Sequence, residues 1–215
     1  MKIRNIEIYN NGYIFCKSIF YMAQDILKNS KYNLKVGTNK LYGDIDSGNW
    51  AISYLLSMYK YCPQDFVLFE EPNVLINDTK KISLDDISKY SCYMDKTYPM
   101  FSTDTSVKEL IEQGLENSKI NFSVNDIKEL FLLDNNRFER PLQCVGNEIF
   151  RAMAAIGFAY DKKIFCFPWL SHMRFESYHE NMTVLLEILE RLEKIVILPV
   201  GQSGDGSMID KHSSR

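Results

Sequence analysis

Short, wholly apolar segments alternate with amphipathic segments along most of this 215-residue chain. KKIFCFPW and IVILPVG, at residues 162–169 and 195–201, have the composition of buried strands. A helical period occurs between them in NMTVLLEILERLEK and before them in VGNEIFRAMAAIGFAYD, which begins at residue 145. Strands that are apolar on both faces need cover on both sides. The alternation therefore predicts an α/β fold with a mainly parallel sheet between layers of helices.

The N-terminal third has shorter strand patterns. RNIEIY, at residues 4–9, alternates apolar and polar residues and predicts a half-buried strand. Residues 66–70 and 74–77 predict two further strands, joined by a turn at Glu71 and Pro72. Residues 12–29 are apolar and fit either a strand or a helix.

Serine and threonine caps mark the beginnings of several predicted helices. SLDDISKY begins with Ser83, and Asp86 stands three residues later, which is typical of a capped first turn. From Thr105 to about Arg137 the pattern is helical, in two segments that each open with Ser or Thr. These helices fall between the two halves of the predicted sheet.

A glycine-containing loop, LYGDIDSGNW at residues 41–50, lies between a predicted strand and a predicted helix. Gly43 and Gly48 have the spacing of the two glycines in the phosphate-binding motif G-x-x-x-x-G-K-[ST], and Ser47 precedes the second. Asn49 replaces the lysine and Trp50 replaces the hydroxyl residue that holds magnesium. A coincidental turn and a former phosphate loop are both compatible with these residues alone.

Composition excludes several classes of protein. The net charge of −3 gives no reason to expect nucleic-acid binding, and the local lysines fit a solvated surface. No stretch approaches the ~20 apolar residues of a membrane span, and the N-terminus lacks the apolar core of a secretory signal.

Five scattered cysteines predict neither a disulfide framework nor a zinc site and suit a reducing cytosol. His172 and His179 are seven residues apart, unlike a helical metal pair, and predict exposed or loop positions.

The order of these segments resembles the nucleotide-binding domain of an ATP-binding cassette (ABC) transporter over nearly the whole chain. The segment after the loop and its helix resembles the family's hairpin in its residue pattern: NVLINDTKKISLDDISKYSCYMD. The next segment resembles the entry to the family's helical subdomain: YPMFSTDTSVKELIEQGL. LQCVGNEIFRAMAAIGFAYDKKIFCF resembles the signature motif, its helix and the catalytic strand. LEKIVILPVG resembles the strand that ends in the switch histidine.

The resemblance implies an ABC-ATPase-like P-loop fold with a mainly parallel core sheet, an N-terminal antiparallel β region and a helical subdomain. We expect one domain over residues 1–215, with the subdomain at about 97–145 and a flexible tail at 202–215. The vestigial phosphate loop would comprise Gly43, Ser47, Gly48, Asn49 and Trp50. The vestigial signature would comprise Cys144, Val145, Gly146 and Asn147.

The residues that carry the family's chemistry are replaced at almost every position. The catalytic strand ends in Pro168 and Trp169 where the family has Asp-Glu, and Gly201 stands in place of the switch histidine. The family's glutamine falls near Asp95 or Lys96, and Val145 replaces a glycine of the signature. Phosphoryl transfer needs a neutralising charge, a metal and a positioned water. We therefore expect no catalytic residues and no metal site, with Trp50 and Trp169 together filling the vacated space.

The predicted function is that of a degenerate, non-hydrolysing partner or structural subunit of an ABC transporter complex. Its partners would be another nucleotide-binding domain, as a homodimer or heterodimer, and membrane permease subunits that dock around residues 93–107. It would be cytoplasmic and peripheral at the inner face of the membrane, with neither membrane insertion nor nucleic-acid binding. No cofactor is expected. One alternative is a divergent ATPase subunit that still uses ATP and Mg²⁺, and a second is an unrelated α/β adaptor.

Overall fold

The protein was examined as a computed structural model that describes residues 2–11, 14–16, 30–43, 48–68, 70–101 and 104–201. The strands in these ranges are β1 (Asn5–Asn10), β2 (Ile14–Cys16), β3 (Ser30–Lys35), β4 (Gly37–Tyr42), β5 (Phe66–Leu68), β6 (Asn73–Ile76), β7 (Lys80–Ile82), β8 (Ser91–Tyr93), β9 (Ile164–Cys166) and β10 (Ile195–Val200). The helices are α1 (Asn49–Met58), α2 (Leu84–Tyr90), α3 (Val107–Glu116), α4 (Val124–Leu130), α5 (Asn135–Phe138), α6 (Ile149–Ala159), α7 (His172–Ser177) and α8 (His179–Arg191).

A parallel sheet in the order β4-β10-β9-β8 forms the centre of the molecule. Every residue of β9 and β10 is buried. Side chains alternate between the two faces. On one face Tyr93 meets Tyr54 of α1, and on the other Gly157 of α6 lies against Cys92 and Phe165. The expected α/β fold, with a mainly parallel sheet covered on both faces, is confirmed.

An antiparallel sheet in the order β3-β1-β6-β7 packs beside this core, as the resemblance implies. Its β1 strand alternates between half-buried and buried residues, because Ile6 and Ile8 face the core. The two strands expected at residues 66–70 and 74–77 form as β5 and β6, but they do not pair with each other. β5 pairs with β2, whereas β6 pairs with β1 and β7, so the two strands belong to different sheets. Pro72 contributes no backbone N–H to a tight hairpin there.

The predicted helix caps are confirmed. Ser83 accepts a hydrogen bond from the backbone N–H of Asp86, and Ser106 and Ser123 each form a complete capping box. Each such cap stabilises its helix by about 1 kcal/mol. Helices α3, α4 and α5 lie between β8 and α6 in the sequence. Their treatment as a separate inserted subdomain stays a prediction.

His179 is exposed, as predicted, and His172 is half-buried; each is the first residue of a helix. The predicted flexible tail at 202–215, most of the ambiguous segment 12–29, and Ser47 lie outside the described residues.

Candidate functional site

The carboxyl ends of the parallel strands form one edge of the central sheet, which we call the carboxyl edge. Gly43, Met94, Phe167 and Gly201 are the residues that follow β4, β8, β9 and β10. Open α/β sheets bind their ligands at this edge. The structure therefore brings Gly43, Pro168, Trp169 and Gly201 to the same edge, as their order in the sequence predicts.

The glycine-containing loop joins β4 to α1 at this edge. The backbone N–H of Gly43 donates to the carbonyl of Val200, 3.1 Å away, which fixes the start of the loop beside β10. Gly48 has φ +84°, a left-handed conformation that favours glycine, and it forms the N-cap of α1 without a side-chain hydrogen bond. Asn49 is the first residue of the helix, so a strand–loop–helix arrangement is present.

Trp50, in the first turn of α1, is only 8% exposed. Its ring lies 6.4 Å from the ring of Tyr54, between the centroids, within an aromatic group that continues to Phe66 and Tyr93. A buried indole at this position supplies packing area where the phosphate-loop motif requires a magnesium-binding hydroxyl.

Trp169 spans the ends of β4 and β10. Its indole N–H donates to the carbonyl of Gly43 over 3.0 Å. A methyl group built on Gly201 would lie 3.0 Å from Cζ2 of the same ring and 3.4 Å from the backbone of Ser171 and His172. The next residue, Leu170, pairs with Val200 in an isolated parallel bridge. Trp169 thus occupies the carboxyl edge between the loop and the end of β10, at the position where the family has a carboxylate.

The acidic side chain nearest the family's glutamine position, Asp95, has an internal role. Its Oδ1 accepts hydrogen bonds from the backbone N–H of Thr97, at 3.0 Å, and from the Thr97 hydroxyl, at 2.9 Å. These bonds close the turn that follows β8. Within the described part of the chain, no group of three or more His, Cys, Asp or Glu side chains could hold a metal ion.

The signature segment lies in two 3-10 turns, Leu142–Cys144 and Gly146–Glu148, rather than in the helix that the sequence pattern predicts from residue 145. Cys144 and Asn147 are exposed, whereas Val145 is 1% exposed and belongs to the core. Gly146 has φ +69° and opens onto free space. Asn147 accepts a hydrogen bond from Arg137. The four residues form a turn at the beginning of α6 whose anchor is Val145.

An ion-pair group that sequence reasoning missed holds this turn in place. Glu148, 7% exposed, lies 3.0 Å from a guanidinium nitrogen of Arg137 and 3.2 Å from one of Arg151. It also accepts the backbone N–H of Asp134 at 3.2 Å, and Arg151 donates to the carbonyl of Leu132 at 2.9 Å. The pair Glu148–Arg151 has helical spacing and could have been noticed, but Arg137 joins it only in the folded chain.

Comparison with known sequences yields no match: no protein-family model and no curated protein matches the chain. Comparison with solved structures does. A protein described as an ABC transporter ATP-binding protein from Pyrococcus furiosus has a TM-score of 0.63 and 13% identity, over 93% of this chain and 92% of that one. The corresponding figures for cbiO1 of Clostridium perfringens, part of the ABC transporter complex cbiONQ, are 0.61, 12%, 94% and 80%.

A third structure is a dimeric ATP-binding cassette in a post-hydrolysis state, bound to ADP and phosphate. Its TM-score is 0.59 at 13% identity, over 93% of this chain and 89% of that chain. In the described part of the present chain, no helix has the length and apolar character needed to cross a bilayer. The element order, the two sheets and these similarities agree: the chain has the fold of the nucleotide-binding domain of ABC transporters.

Proposed function

We propose that this protein is a catalytically degenerate homologue of ABC nucleotide-binding domains, acting as a non-hydrolysing partner or structural subunit of a transporter complex. The observation that supports it most directly is the hydrogen bond from Trp169 to Gly43. An indole donor occupies the edge where phosphoryl transfer requires a carboxylate, a metal and a water.

The described residues of the carboxyl edge do not fit a magnesium-bound triphosphate. Trp50 has no oxygen to coordinate the metal, and Asp95 already accepts two hydrogen bonds from Thr97. Asn49 and Gly201 carry no charge, so neither supplies the positive charge that offsets the phosphates during transfer. We therefore derive no catalytic step and no cofactor for this chain.

One feature favours the alternative of a divergent subunit that still binds or hydrolyses ATP. The N-terminus of α1 has no side-chain cap and no acidic residue in its first turn, and such a terminus attracts phosphate. The second alternative, an unrelated adaptor fold, conflicts with the shared fold.

The proposed partners follow from similar proteins. cbiO1 belongs to an ABC transporter complex, and the post-hydrolysis cassette is a dimer. We propose that this chain pairs with a nucleotide-binding domain and associates with membrane permease subunits, which would place it at the cytoplasmic face of the membrane. The signature turn at residues 144–147 would face the partner domain through exposed Cys144 and Asn147, because the Val145 side chain is buried in the core.

Nucleotide binding tests the loss of chemistry. Both tryptophans of the chain lie at the carboxyl edge, so intrinsic fluorescence reports directly on a ligand there. We expect no magnesium-dependent change in emission on titration with ATP and no phosphate release above the protein-free rate. Repeating the titration with the variants Trp50→Phe and Trp169→Phe shows which indole causes any change in emission. Tight, magnesium-dependent ATP binding would overturn the proposal.

Co-purification tests the partnership. The affinity-tagged chain, isolated from its native host in mild detergent, should bring down a membrane permease together with an intact cassette ATPase. Isolation of the chain without either of them, under conditions that preserve other transporter complexes of the same host, would contradict a role as a transporter subunit.

A further inference from the structure

The amino ends of the four parallel strands form the opposite edge of the sheet, the amino edge. Gly37, Ser91, Ile164 and Ile195 pair in one register, so all four strands begin in the same row. The two residues before each strand therefore lie at this edge, although Lys35 also ends β3 and both Lys89 and Tyr90 end α2. Lysine occupies five of these eight positions: Lys35, Lys89, Lys162, Lys163 and Lys194. The other three are Val36, Tyr90 and Glu193.

Some of these lysines are neutralised locally. Lys89 pairs with Asp86, and Lys163 pairs with Asp161. Lys162 is 6% exposed and donates to the carbonyl of Lys89 over 2.8 Å. These contacts leave Lys35, Lys162 and Lys194 without a salt bridge among the described residues, and of these three Lys35 is the exposed one.

Lys194 shows the electrostatic consequence of the crowding. It is 6% exposed, with its Nζ 5.0 Å from the centre of the Phe158 ring. Burial, together with repulsion from Lys163, lowers the pKa of Lys194 to about 8. Burial and the charge of Lys60 also lower the pKa of Lys162. An additional negative charge at this edge would relieve this repulsion.

An open cleft of about 550 Å³ continues the amino edge toward the antiparallel sheet. Its lining is charged and polar: Lys2, Arg4, Asn5, Lys35, Val36, Asn77, Asp78 and Glu193. Lys2 pairs with Glu193, and Asp78 accepts a hydrogen bond from Asn5. Arg4 and Lys35 form no salt bridge in the described part of the chain, although the charge of Arg4 helps Lys2 to lower the pKa of Glu193.

We propose that the amino edge and its cleft form a docking surface for an acidic polypeptide segment of a partner protein, with Arg4 and Lys35 as its main carboxylate contacts. Neighbouring strands are ~4.8 Å apart, so the starts of the four strands span roughly 14 Å, which is the length of about four extended residues. Exposed Val36 offers an apolar contact within the surface. The surface lies at the opposite end of the sheet from the carboxyl edge and does not depend on how that edge treats nucleotide.

The acids among the lysines favour a polypeptide over a uniform polyanion. Asp78, Asp161 and Glu193 lie among the cationic groups. A phosphate backbone or an anionic bilayer would bring negative charge against them as well. A peptide segment can place an amide or hydroxyl donor at those points and carboxylates elsewhere, so it complements both signs.

A fluorescein-labelled decapeptide of alternating glutamate and serine, which carries both carboxylates and hydroxyl donors, is the probe, titrated into the full chain at about 50 mM salt, where charge attraction is weakly screened. We expect saturable binding that weakens as salt rises. The double variant Arg4→Gln/Lys35→Gln should weaken it about tenfold, because it removes the two unpaired cations. The matched control, Lys119→Gln/Arg140→Gln, removes one exposed lysine and one exposed arginine elsewhere and should bind within about twofold of the parent.

Equal losses in the two double variants, or no binding by the parent chain, would overturn the proposal. Tighter binding to phosphatidylserine-containing vesicles or to duplex DNA than to the glutamate–serine peptide, lost in Arg4→Gln/Lys35→Gln, would also overturn it by assigning the surface to another class of partner. Thermal unfolding of each variant checks the fold. An ATP titration tests the proposed function separately, because nucleotide would bind at the carboxyl edge and the acidic peptide at the amino edge.

Discussion

The two edges of the central sheet differ in the side chains they carry, although the same four strands end in both. At the carboxyl edge, where open α/β sheets bind their ligands, the neutral residues Gly43, Trp169 and Gly201 meet, and Trp50 packs against Tyr54 in α1. At the amino edge, lysine fills most positions before the strands. The backbone of a nucleotide-binding fold is thus retained while its positive charge lies at the other end of the sheet.

The two edges of the sheet differ in how their strand ends are stabilised. The carboxyl edge is held by packing and by a hydrogen bond from an indole to a carbonyl. The amino edge keeps buried cations, whose repulsion opposes folding at neutral pH. Substitutions at the two edges should therefore change the free energy of unfolding in opposite directions.

The largest effect is expected from Lys194→Met at the amino edge. The pKa of Lys194 falls from its ordinary 10.5 to about 8 in the folded state, which corresponds to about 3 kcal/mol of destabilisation while both states are protonated. We expect Lys194→Met to be more stable than the parent at pH 7 by up to this amount, less the lost contact with Phe158. The free energy of unfolding from urea titrations measures it.

The pH dependence of the same variant shows whether Lys194 raises or lowers the free energy of unfolding. Between pH 8 and 10.5 the unfolded state holds the lysine proton more tightly than the folded state, so this group makes the parent more stable as pH rises. The advantage of Lys194→Met should therefore shrink across that window. Buried Cys92, whose pKa burial raises to about 12, acts in the opposite direction in both proteins and cancels in the difference. An advantage that stays constant with pH would show that Lys194 is not the cause.

At the carboxyl edge, Trp169→Ala should destabilise the protein by about 2 kcal/mol, because a half-buried ring and its hydrogen bond are both lost. Trp169→Phe is the matched control. It retains most of the ring and loses only the bond to the Gly43 carbonyl, for about 1 kcal/mol. Denaturant midpoints of the two variants measure this. If Trp169→Phe is as stable as the parent, the hydrogen bond does not hold the edge together.

The smallest effect is expected from Gly201→Ala, at about 1 kcal/mol. The new methyl group would lie 3.0 Å from the Trp169 ring, which has to shift by a few tenths of an ångström. Because the ring is the closest obstacle, the double variant Gly201→Ala/Trp169→Ala should cost less than the two single changes together. Strict additivity in a double-mutant cycle would place the clash on the backbone of residues 171–172 instead.

Much of the fold follows from local patterns in the sequence. The apolar runs predict β9 and β10, the helical period predicts α6 and α8, and Ser83, Ser106 and Ser123 mark helix starts correctly. These features depend on residues within a few positions of each other. The strands β5 and β6 show the limit, because they are neighbours in sequence but pair with β2 and β1, which are distant in sequence.

The candidate site is only partly visible in the sequence. The glycine spacing and the substitutions Asn49 and Trp50 can be read directly. The Trp169–Gly43 hydrogen bond joins residues 126 positions apart and needs the strand order β4-β10-β9 before it can form. The contact of Arg137 with Glu148 likewise requires the fold of the turns around α5.

The sequence by itself determined the class of fold, since composition and periodicity act locally along the chain, and it shows directly which residues stand at positions 43, 50, 169 and 201. Only the tertiary structure decided which of these residues meet. Parallel pairing aligned the starts of four distant strands and so gathered Lys35, Lys89, Lys163 and Lys194 into one edge. The same pairing brought Trp169 to the carbonyl of Gly43 at the other edge. Such contacts depend on register between strands, which is fixed by packing the whole core.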